Sequence, residues 1–418
     1  MTRFEDNPEI SRRVSTLIYV SFDESDEVRG GPRSILMTAR HLRRYKPTFV
    51  LNRANSYAND IRSSGIDAHV VPAARVLDGF RTAPFQEKCR RFAHLFRHNV
   101  DLVKLAGQTR AAIFHCQEAS EAITAGVAMR LTGRYVVLHV RDQSGGRLRT
   151  FLMAAAIASR VIFISGPLRN EYISQTPAIL KRWIASRSEA INNGIEPGVA
   201  KTVRDTLSKI EARQDLGLNP SWFVLTVIGP LTPKKNQLAF LKAAGAKLLA
   251  LHAGLRIVFV GSDRIDASYS AELADVVSAL ADKERVVFLG SLPHAQMTSV
   301  YRATDVLLIP SVREGLPRIA LEGTSLGCPI VASRNAGNEA GVINGETGFL
   351  VGLDHLEDFV PCVERLLDDA YREGMSKAAV TFAETAFDVR AVTARIEDLY
   401  DRCLNKPTFR ASSGPLSA

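Results

Sequence analysis

The chain has 418 residues, 46% hydrophobic and 23% charged, enough apolar content for two cores of about 200 residues each and too much for a disordered or fibrous chain. No apolar run reaches the roughly 20 residues of a membrane-spanning helix, since the best, 154–164, is interrupted by Arg160. Five scattered cysteines, Cys89, Cys116, Cys328, Cys362 and Cys403, lack CxxC or His-paired spacing and argue against a disulfide framework or a zinc site.

The net charge of +9 is unevenly placed. Residues 1–196 carry 29 Lys and Arg against 18 Asp and Glu, whereas residues 197–418 carry 24 against 26. A cationic half can recruit nucleic acid, anionic lipid headgroups or phosphorylated substrates. No aromatic-interleaved basic motif, zinc knuckle or recognition-helix pattern accompanies it, so no nucleic-acid partner is expected. The first 13 residues are charged and lack the apolar core of a signal peptide. The expectation is a cytoplasmic protein, with peripheral contact at the inner face of a membrane through the basic half as a possible addition.

In chain order, residues 16–22 form an apolar run ending in the acidic stretch 23–26, and Gly30-Gly31-Pro32-Arg33 then opens a helical pattern through Tyr45. Strand, glycine turn and helix in succession let backbone approach a phosphate, although a plain turn would use the same Gly-Gly. Strand-like segments follow at 48–51, 69–72, 111–115, 135–140 and 161–165, each trailed by a helical pattern. Repeated βα units predict a parallel sheet between helices, with ligands at the carboxyl ends of its strands. Gln117, Glu118, Arg141, Asp142, Ser165 and Gly166 lie just past those ends. Arg141 could bind a phosphate oxygen and Asp142 could orient a hydroxyl; a structural Arg-Asp pair is the alternative. His115 and His139, on apolar strands, read as core histidines.

Residues 85–110 place Phe85, Cys89, Phe92, Phe96, Val100 and Val103 at helical spacing, with Lys88, Arg90, Arg91, Arg97 and Lys104 between them. The ordinary expectation is a helix that packs this stripe on its own sheet. The same pattern suits a helix lying on an anionic bilayer.

Residues 188–196, SEAINNGIE, read as a last strand and a turn, and the polar, weakly periodic 197–220 as a linker. Residues 222–229 are a buried-strand run ending in Gly229, followed by Pro230 and a helix opened by PLTPKKNQ. Further strands are predicted at 256–261, at 285–290 with Leu289, and at 306–309. Then comes EGLPRIALE, Glu314 to Glu322. Pro317 suits a first helical position, and Gly327 with Pro329 closes the helix. Glu314 thus sits at the helix mouth and Glu322 about a turn and a half inside. Carboxylates around a helix N-terminus fit a ligand offering hydroxyls to the carboxylates and an anion to the backbone N–H groups, as a nucleotide sugar does. Two carboxylates would also serve as a glycosidase acid and nucleophile, but the surrounding βα pattern argues against that. Helices are expected at 356–367 and 388–404, and a disordered tail at 407–418.

The E-G-x-P-x4-E pattern inside ATDVLLIPSVREGLPRIALEGTSLGCPIVAS resembles the E-x7-E signature of retaining glycosyltransferases of family 4 (glycosyl transferases group 1), which have the GT-B fold. Gly30-Gly31, Asn193-Gly194-Ile195-Glu196, GPLTPKKNQ at 229–237, VVFLG at 286–290 and AGNEAGVINGETGFLV at 336–351 lie in family order. The resemblance implies an α/β chain of two Rossmann-like βαβ domains facing each other across a cleft. Residues 1–196 would be the acceptor-side domain, 197–220 the linker and 221–386 the nucleotide-sugar domain, with a helix at 387–406 crossing back to the first.

It further implies a donor site of Gly30, Gly31, Gly229, Lys235, Leu289, Glu314, Gly315, Leu316, Pro317 and Glu322. Glu314, Lys235 and Asp142 would be the catalytic residues, and Arg33, Gln117 and Arg141 the candidates for acceptor or phosphate. No metal or cofactor is implied, and no DxD triplet is present. The implied activity moves a sugar from a nucleotide diphosphate to a hydroxyl on a glycan or lipid-linked acceptor, in bacterial cell-surface polysaccharide or glycolipid synthesis. Three departures stand out: Pro230 where the family has Arg, Arg141-Asp142 where it has His-Asp, and Gly323 where it has Ala. Lys234, Arg313 and Arg318 are the candidates to replace the missing cation. The alternatives are a degenerate sugar-nucleotide-binding protein, motivated by Pro230 and Arg141, and a sugar-nucleotide epimerase of the same shape.

Overall fold

The computed structural model describes residues 15–22, 30–72, 84–142 and 148–404. The acidic run 23–26 and the tail expected at 407–418 lie outside them. The chain divides into two compact units, one of residues 1–164, 172–191 and 390–418, the other of 165–171 and 192–389.

The first unit holds a seven-stranded parallel sheet of β1 (Ser15–Ser21), β2 (Tyr45–Leu51), β3 (Asp67–Val70), β4 (Ala111–Cys116), β5 (Tyr135–Val140), β6 (Arg160–Phe163) and β7 (Ser188–Ala190). The strand order is β3-β2-β1-β4-β5-β6-β7. The helix Gly30–His41 stops four residues short of Tyr45, which opens β2 instead of ending the helix. The chain winds from β1 towards β3 and then returns to place β4 on the other side of β1. Crossovers therefore leave in opposite directions at β1 and β4, which opens a crevice at their carboxyl ends. The helix Val389–Leu404 belongs to this unit, where Val392, Ile396, Leu399 and Tyr400 join Leu17, Tyr19, Phe49 and Ile113 in one core. Each such buried side chain contributes about 1.5–3 kcal/mol.

The expected packing of the 85–103 stripe on the sheet is not what the fold shows. The helix Phe85–Gln108 buries His98, Leu102, Leu105 and Ala106, whereas Phe85, Phe92 and Phe96 are 80%, 62% and 72% exposed. Length is the reason. Its 24 residues span about 36 Å, whereas the six residues of β4 span about 20 Å.

The second unit has a six-stranded parallel sheet of β8 (Phe223–Ile228), β9 (Leu255–Val260), β10 (Val286–Gly290), β11 (Val306–Ile309), β12 (Ile330–Ser333) and β13 (Gly348–Val351), in the order β10-β9-β8-β11-β12-β13. Alternation along the strands fills both faces. Val306 and Leu308 pack with Leu225, Phe259 and Phe359, and Leu307 and Ile309 with Val224, Val258 and Ala320. The reversal of winding falls between β8 and β11. Gly323 has a packing explanation, since a Cβ there would lie 2.7 Å from Leu307 Cδ2.

The stretch read as a linker is helical. Residues 197–220 carry the helices Pro197–Thr206 and Lys209–Asp215, the second opened by a capping box in which Ser208 and Glu211 bond each other's backbone N–H. Arg213 lies 2.5 Å from the buried Asp305, which also accepts the Val224 N–H at 2.7 Å. That anchor makes the segment part of the second unit.

Candidate functional site

In the second unit, the loops that follow β8 and β11 leave the sheet at its reversal point and are stitched together. The Val312 N–H donates to the Lys234 carbonyl at 2.9 Å. Asn236, in the left-handed region at φ 62°, donates from Nδ2 to the Pro310 carbonyl at 3.1 Å. The fully buried Gln237 donates to the Pro230 carbonyl at 2.9 Å and holds the turn from beneath. Gly229 lacks a Cβ for a visible reason: at φ 142° a Cβ would meet Lys235 Cε at 3.0 Å, so the lysine stem lies over the glycine.

That stem carries Lys235 Nζ to 2.6 Å from Glu314 Oε1. Glu314 is 6% exposed. Burial alone would raise its pKa, but the charge and hydrogen bond of Lys235, the charge of Lys234 and a bond from Ser311 hold it below the usual carboxylate value. The backbone of Glu314 is clamped from behind by Gly337, where a Cβ would lie 2.5 Å from the Glu314 carbonyl carbon. Asn335 caps the short helix bearing Gly337, accepting the Gly337 and Asn338 N–H groups at 3.1 Å and donating to the Ser311 carbonyl at 3.0 Å.

Gly315 and Leu316 follow, both buried. Pro317 is the N-cap of the helix Arg318–Ser325, one position before the first helical residue. The first-turn N–H groups of a helix have no intrahelical acceptor, so this helix mouth favours an anion. Glu322 is held on both oxygens: Arg318 Nε and Nη2 donate to Oε1 at 2.9 and 2.7 Å, and the Tyr301 hydroxyl donates to Oε2 at 2.7 Å. Arg318 is thus engaged by Glu322. Of the three cations considered in place of an arginine at 230, Lys234 is the one whose charge acts on Glu314, while Arg313 is exposed.

Leu289 stands apart from this group. It lies on β10, the edge strand of the sheet, and its side chain packs beside Trp222 against Ala212, Leu218 and Ala303. What it can offer a base is backbone.

In the first unit, Gly30 and Gly31 are the first two residues of the helix Gly30–His41 and not a loop before it, with Arg33 in the same turn. A Cβ on Gly31 would meet nothing within 4 Å among the described residues, so packing against them does not demand that glycine. Past β4 and β5, Arg141 Nη1 donates to Gln117 Oε1 at 3.1 Å. These two predicted residues are brought together, whereas Asp142 is exposed beside them and its carbonyl accepts from the Tyr172 hydroxyl at 3.2 Å. Gln117 is buried, and among the described residues its Nε2 has no hydrogen-bond partner.

Beneath them lies a buried polar layer. His115 Nδ1 is 2.5 Å from the Tyr400 hydroxyl, and His115 Nε2 is 3.2 Å from His139 Nδ1. Burial, aided by the charge of Arg141, lowers the His115 pKa to about 3 and takes His139 well below its usual value. Both are therefore neutral core histidines, as the sequence suggested.

Three residues that build these sites went unnoticed in the sequence, Glu121, Tyr301 and Asn335, and Gly337 stood inside the 336–351 motif with no role assigned to it. Glu121 accepts N–H groups from Phe22 at 2.9 Å, Gln117 at 2.5 Å and Glu118 at 3.1 Å, tying the ends of β1 and β4 together at the crevice. The available signal was Glu121 at the third position of the helix Ala119–Leu131, a capping-box place. Among the described residues, no group of three or more His, Cys, Asp or Glu could hold a metal ion.

Residues 223–369 match the family described as glycosyl transferases group 1. The chain is 28% identical over 328 residues to the Escherichia coli UDP-Gal:alpha-D-GlcNAc-diphosphoundecaprenol alpha-1,3-galactosyltransferase, covering 73% of this chain and 80% of that protein. It is 32% identical over 186 residues to a D-inositol 3-phosphate glycosyltransferase of Rhodococcus jostii, covering 43% of this chain and 40% of that one. Among solved structures, Anabaena Alr3699/HepE in complex with UDP aligns with a TM-score of 0.75 at 19% identity, covering 93% of this chain and all of that one. A Rickettsia africae glycosyltransferase aligns with a TM-score of 0.78 at 13% identity, over 94% of this chain and all of that one. The two parallel-sheet units have the GT-B fold.

Proposed function

We propose that this GT-B chain is a glycosyltransferase that moves a sugar from a nucleotide-diphosphate donor to a hydroxyl acceptor in glycan or glycolipid synthesis. The observation that carries this reading is the Lys235–Glu314 pair at the reversal point of the second sheet, beside the mouth of the helix Arg318–Ser325. A cation, a helix N-terminus and a buried carboxylate there match a diphosphate and a sugar hydroxyl. The alignment with UDP-bound HepE and the partial identity to the galactosyltransferase support the same donor and acceptor classes.

On this reading, the bond between the anomeric carbon and the phosphate oxygen breaks while charge builds on the departing diphosphate. Lys235 and the backbone N–H groups of Leu316, Arg318 and Ile319 stabilise that charge, and preorganised donors of this kind are the largest catalytic term. Glu314 accepts sugar hydroxyls as Lys235 turns towards phosphate, and Glu322, held by Tyr301 and Arg318, accepts ribose hydroxyls. Gln117 and Arg141 bind an acceptor phosphate or hydroxyl on the first unit, where Arg33 and Asp142 are further candidates. The finer assignment is a family 4 enzyme that retains anomeric configuration. The acceptor hydroxyl attacks from the face the diphosphate leaves, its proton passes to that phosphate, and no metal takes part.

Thermal-shift screening against UDP, GDP and ADP sugars tests the reading, because a ligand that binds only the folded chain raises its melting temperature. One nucleotide should stand out, Glu322→Ala should abolish its shift, and slow donor hydrolysis should release nucleoside diphosphate. Glu314→Ala should lower turnover more than binding. Binding without any turnover would favour a degenerate sugar-nucleotide binder, and unchanged activity in both variants would overturn the site.

A further inference from the structure

We propose that the amino end of the first sheet carries an anion site, built by Ser159, Arg160, Arg187 and Arg402, that takes inorganic phosphate or the terminal phosphoryl group of a soluble phosphate monoester. The inference is independent of the transferase reading and uses none of the residues placed in that site.

A cavity of about 130 Å³ is lined by Tyr135, Ser159, Arg160, Arg187, Arg402 and Cys403. That is several times the space one water needs, so a tetrahedral oxyanion fits. Four segments of the chain converge there. Tyr135 opens β5, Arg160 opens β6 with Ser159 just before it, Arg187 precedes β7, and Arg402 and Cys403 lie in the last turn of the helix Val389–Leu404. The six residues of β5 put Tyr135 about 20 Å from Arg141. The cavity is thus at the opposite end of the sheet from Gln117 and Arg141.

The charge around it is one-sided. Arg130 reaches the same corner, with Nη1 2.8 Å from Ser159 Oγ. Among the described residues, the one carboxylate paired with any of the four arginines is Glu189, which takes Arg402 Nη2 at 2.5 and 2.7 Å. Four guanidinia less one carboxylate leave a local surplus of three positive charges. Arg187 is held by backbone, donating from Nε to the Ser159 carbonyl at 3.3 Å and from Nη2 to the Ala158 carbonyl. Arg160 Nη1 donates to the Ser186 carbonyl at a long 3.4 Å. Burial, and after it the charges of Arg130 and Arg160, disfavour the Arg187 cation, a repulsion that a bound anion relieves.

Spare donors accompany the charge. Among the described residues, Arg187 Nη1 and the Nε and Nη1 of Arg402 have no hydrogen-bond partner. Ser159 Oγ accepts from Arg130 and from the Val136 N–H at 3.1 Å, which leaves its own hydrogen to donate. Guanidinium forks match phosphate oxygens. A monoester carries close to two negative charges at neutral pH and answers this surplus better than the single charge of a diester or a carboxylate. A phosphoryl group held there ties β6 and the turn before β7 to the helix whose Tyr400 hydroxyl lies 2.5 Å from His115 Nδ1.

Trp183 reports on the site directly, because the Arg187 guanidinium lies 4.3 Å over its ring. The other tryptophan of the chain is Trp222, so Trp222→Phe leaves a single reporter. Inorganic phosphate or glycerol 3-phosphate, titrated into this full-length variant at an ionic strength fixed with sodium chloride, should change Trp183 emission saturably. Glycerophosphocholine, a diester, should not. Arg160→Gln with Arg402→Gln should raise the apparent Kd at least about tenfold, and Arg402→Gln alone, at an exposed position, should give part of that rise with the melting temperature in chloride nearly unchanged. Lys104→Gln with Lys181→Gln removes the same charge from exposed positions that do not line the cavity, and should bind like the parent. No saturable change, the same change on adding sodium chloride alone, a diester bound as tightly as the monoester, or arginine variants that bind like the parent would each overturn the proposal.

Discussion

Lys235 and Glu314 are separated by 79 residues in sequence, yet they form a 2.6 Å ion pair with Glu314 almost fully buried. Each loop follows a different strand, and the reversal of winding between β8 and β11 brings them side by side. Removing only the cation leaves a buried carboxylate uncompensated, which costs about 3–5 kcal/mol. Lys235→Ala should therefore lower the urea midpoint strongly, and Lys235→Met with Glu314→Gln should recover much of the loss. Turnover should fall about 10²–10³-fold in the single variant. The sign of the pH effect follows from the depressed carboxyl. Stability from the pair is present above the unfolded pKa of about 4.3 and is lost as pH falls through the folded value. A double-mutant cycle in urea at neutral and acid pH measures both.

Gly337 is a second support for the same carboxylate. A Cβ there would lie 2.5 Å from the Glu314 carbonyl carbon and 2.6 Å from its Cβ, distances at which one backbone must move. Gly337→Ala should reduce turnover about 10²-fold by displacing Glu314, with KM for donor also raised. Gly374→Ala, in a helix where a Cβ meets nothing within 4 Å, is the matched control and should stabilise by about 0.5–1 kcal/mol. Steady-state kinetics beside thermal melts of both variants separates displacement from unfolding.

The sequence carried the local features of this molecule and not its pairings. The apolar run 306–309, the Pro317 start and the Gly327 stop announce β11 and the helix after it, because strands, caps and breakers act within a few residues. The pairing of Lys235 with Glu314 and the reach of Gly337 depend on strand order, which no local pattern states. The helix at 209–215 was missed despite its Ser208–Glu211 box, since weak periodicity outweighed the cap. The phenylalanine row shows the opposite fault. Helical spacing reports that a face is apolar but not what covers it, and here the helix outruns its sheet.

Glu121 gives the first unit a pH dependence of its own. Burial, with a smaller push from Glu118, raises its carboxyl to about 8, against three backbone N–H donors that favour the charged form. The folded group then keeps a proton that the unfolded group releases near its ordinary value of about 4.3. Its contribution is full below that value and declines as pH rises towards about 8. Glu121→Gln removes the titration while keeping an amide oxygen as acceptor. The stability advantage of the parent over this variant should shrink steadily between pH about 5 and 8, measured by urea melts. A constant difference across that range would show that Glu121 stays ionised in the fold.

Tyr301 offers a test of how Glu322 is aimed. Burial and the adjacent Glu322 carboxylate take the Tyr301 hydroxyl well above its ordinary pKa, so it remains a donor throughout the neutral range. Tyr301→Phe keeps the ring in the core with Val300 and Ala320 and removes only the 2.7 Å bond to Oε2. Arg318 still holds Oε1, so the carboxylate is loosened and not lost. One hydrogen bond to a charged group is worth about 1.5–3 kcal/mol at most in such a setting. Donor KM should rise about tenfold or somewhat more, with kcat nearly unchanged, because ribose contacts act equally in ground and transition states. A fall in kcat at constant KM would instead place Glu322 among the groups that meet charge at the reacting centre.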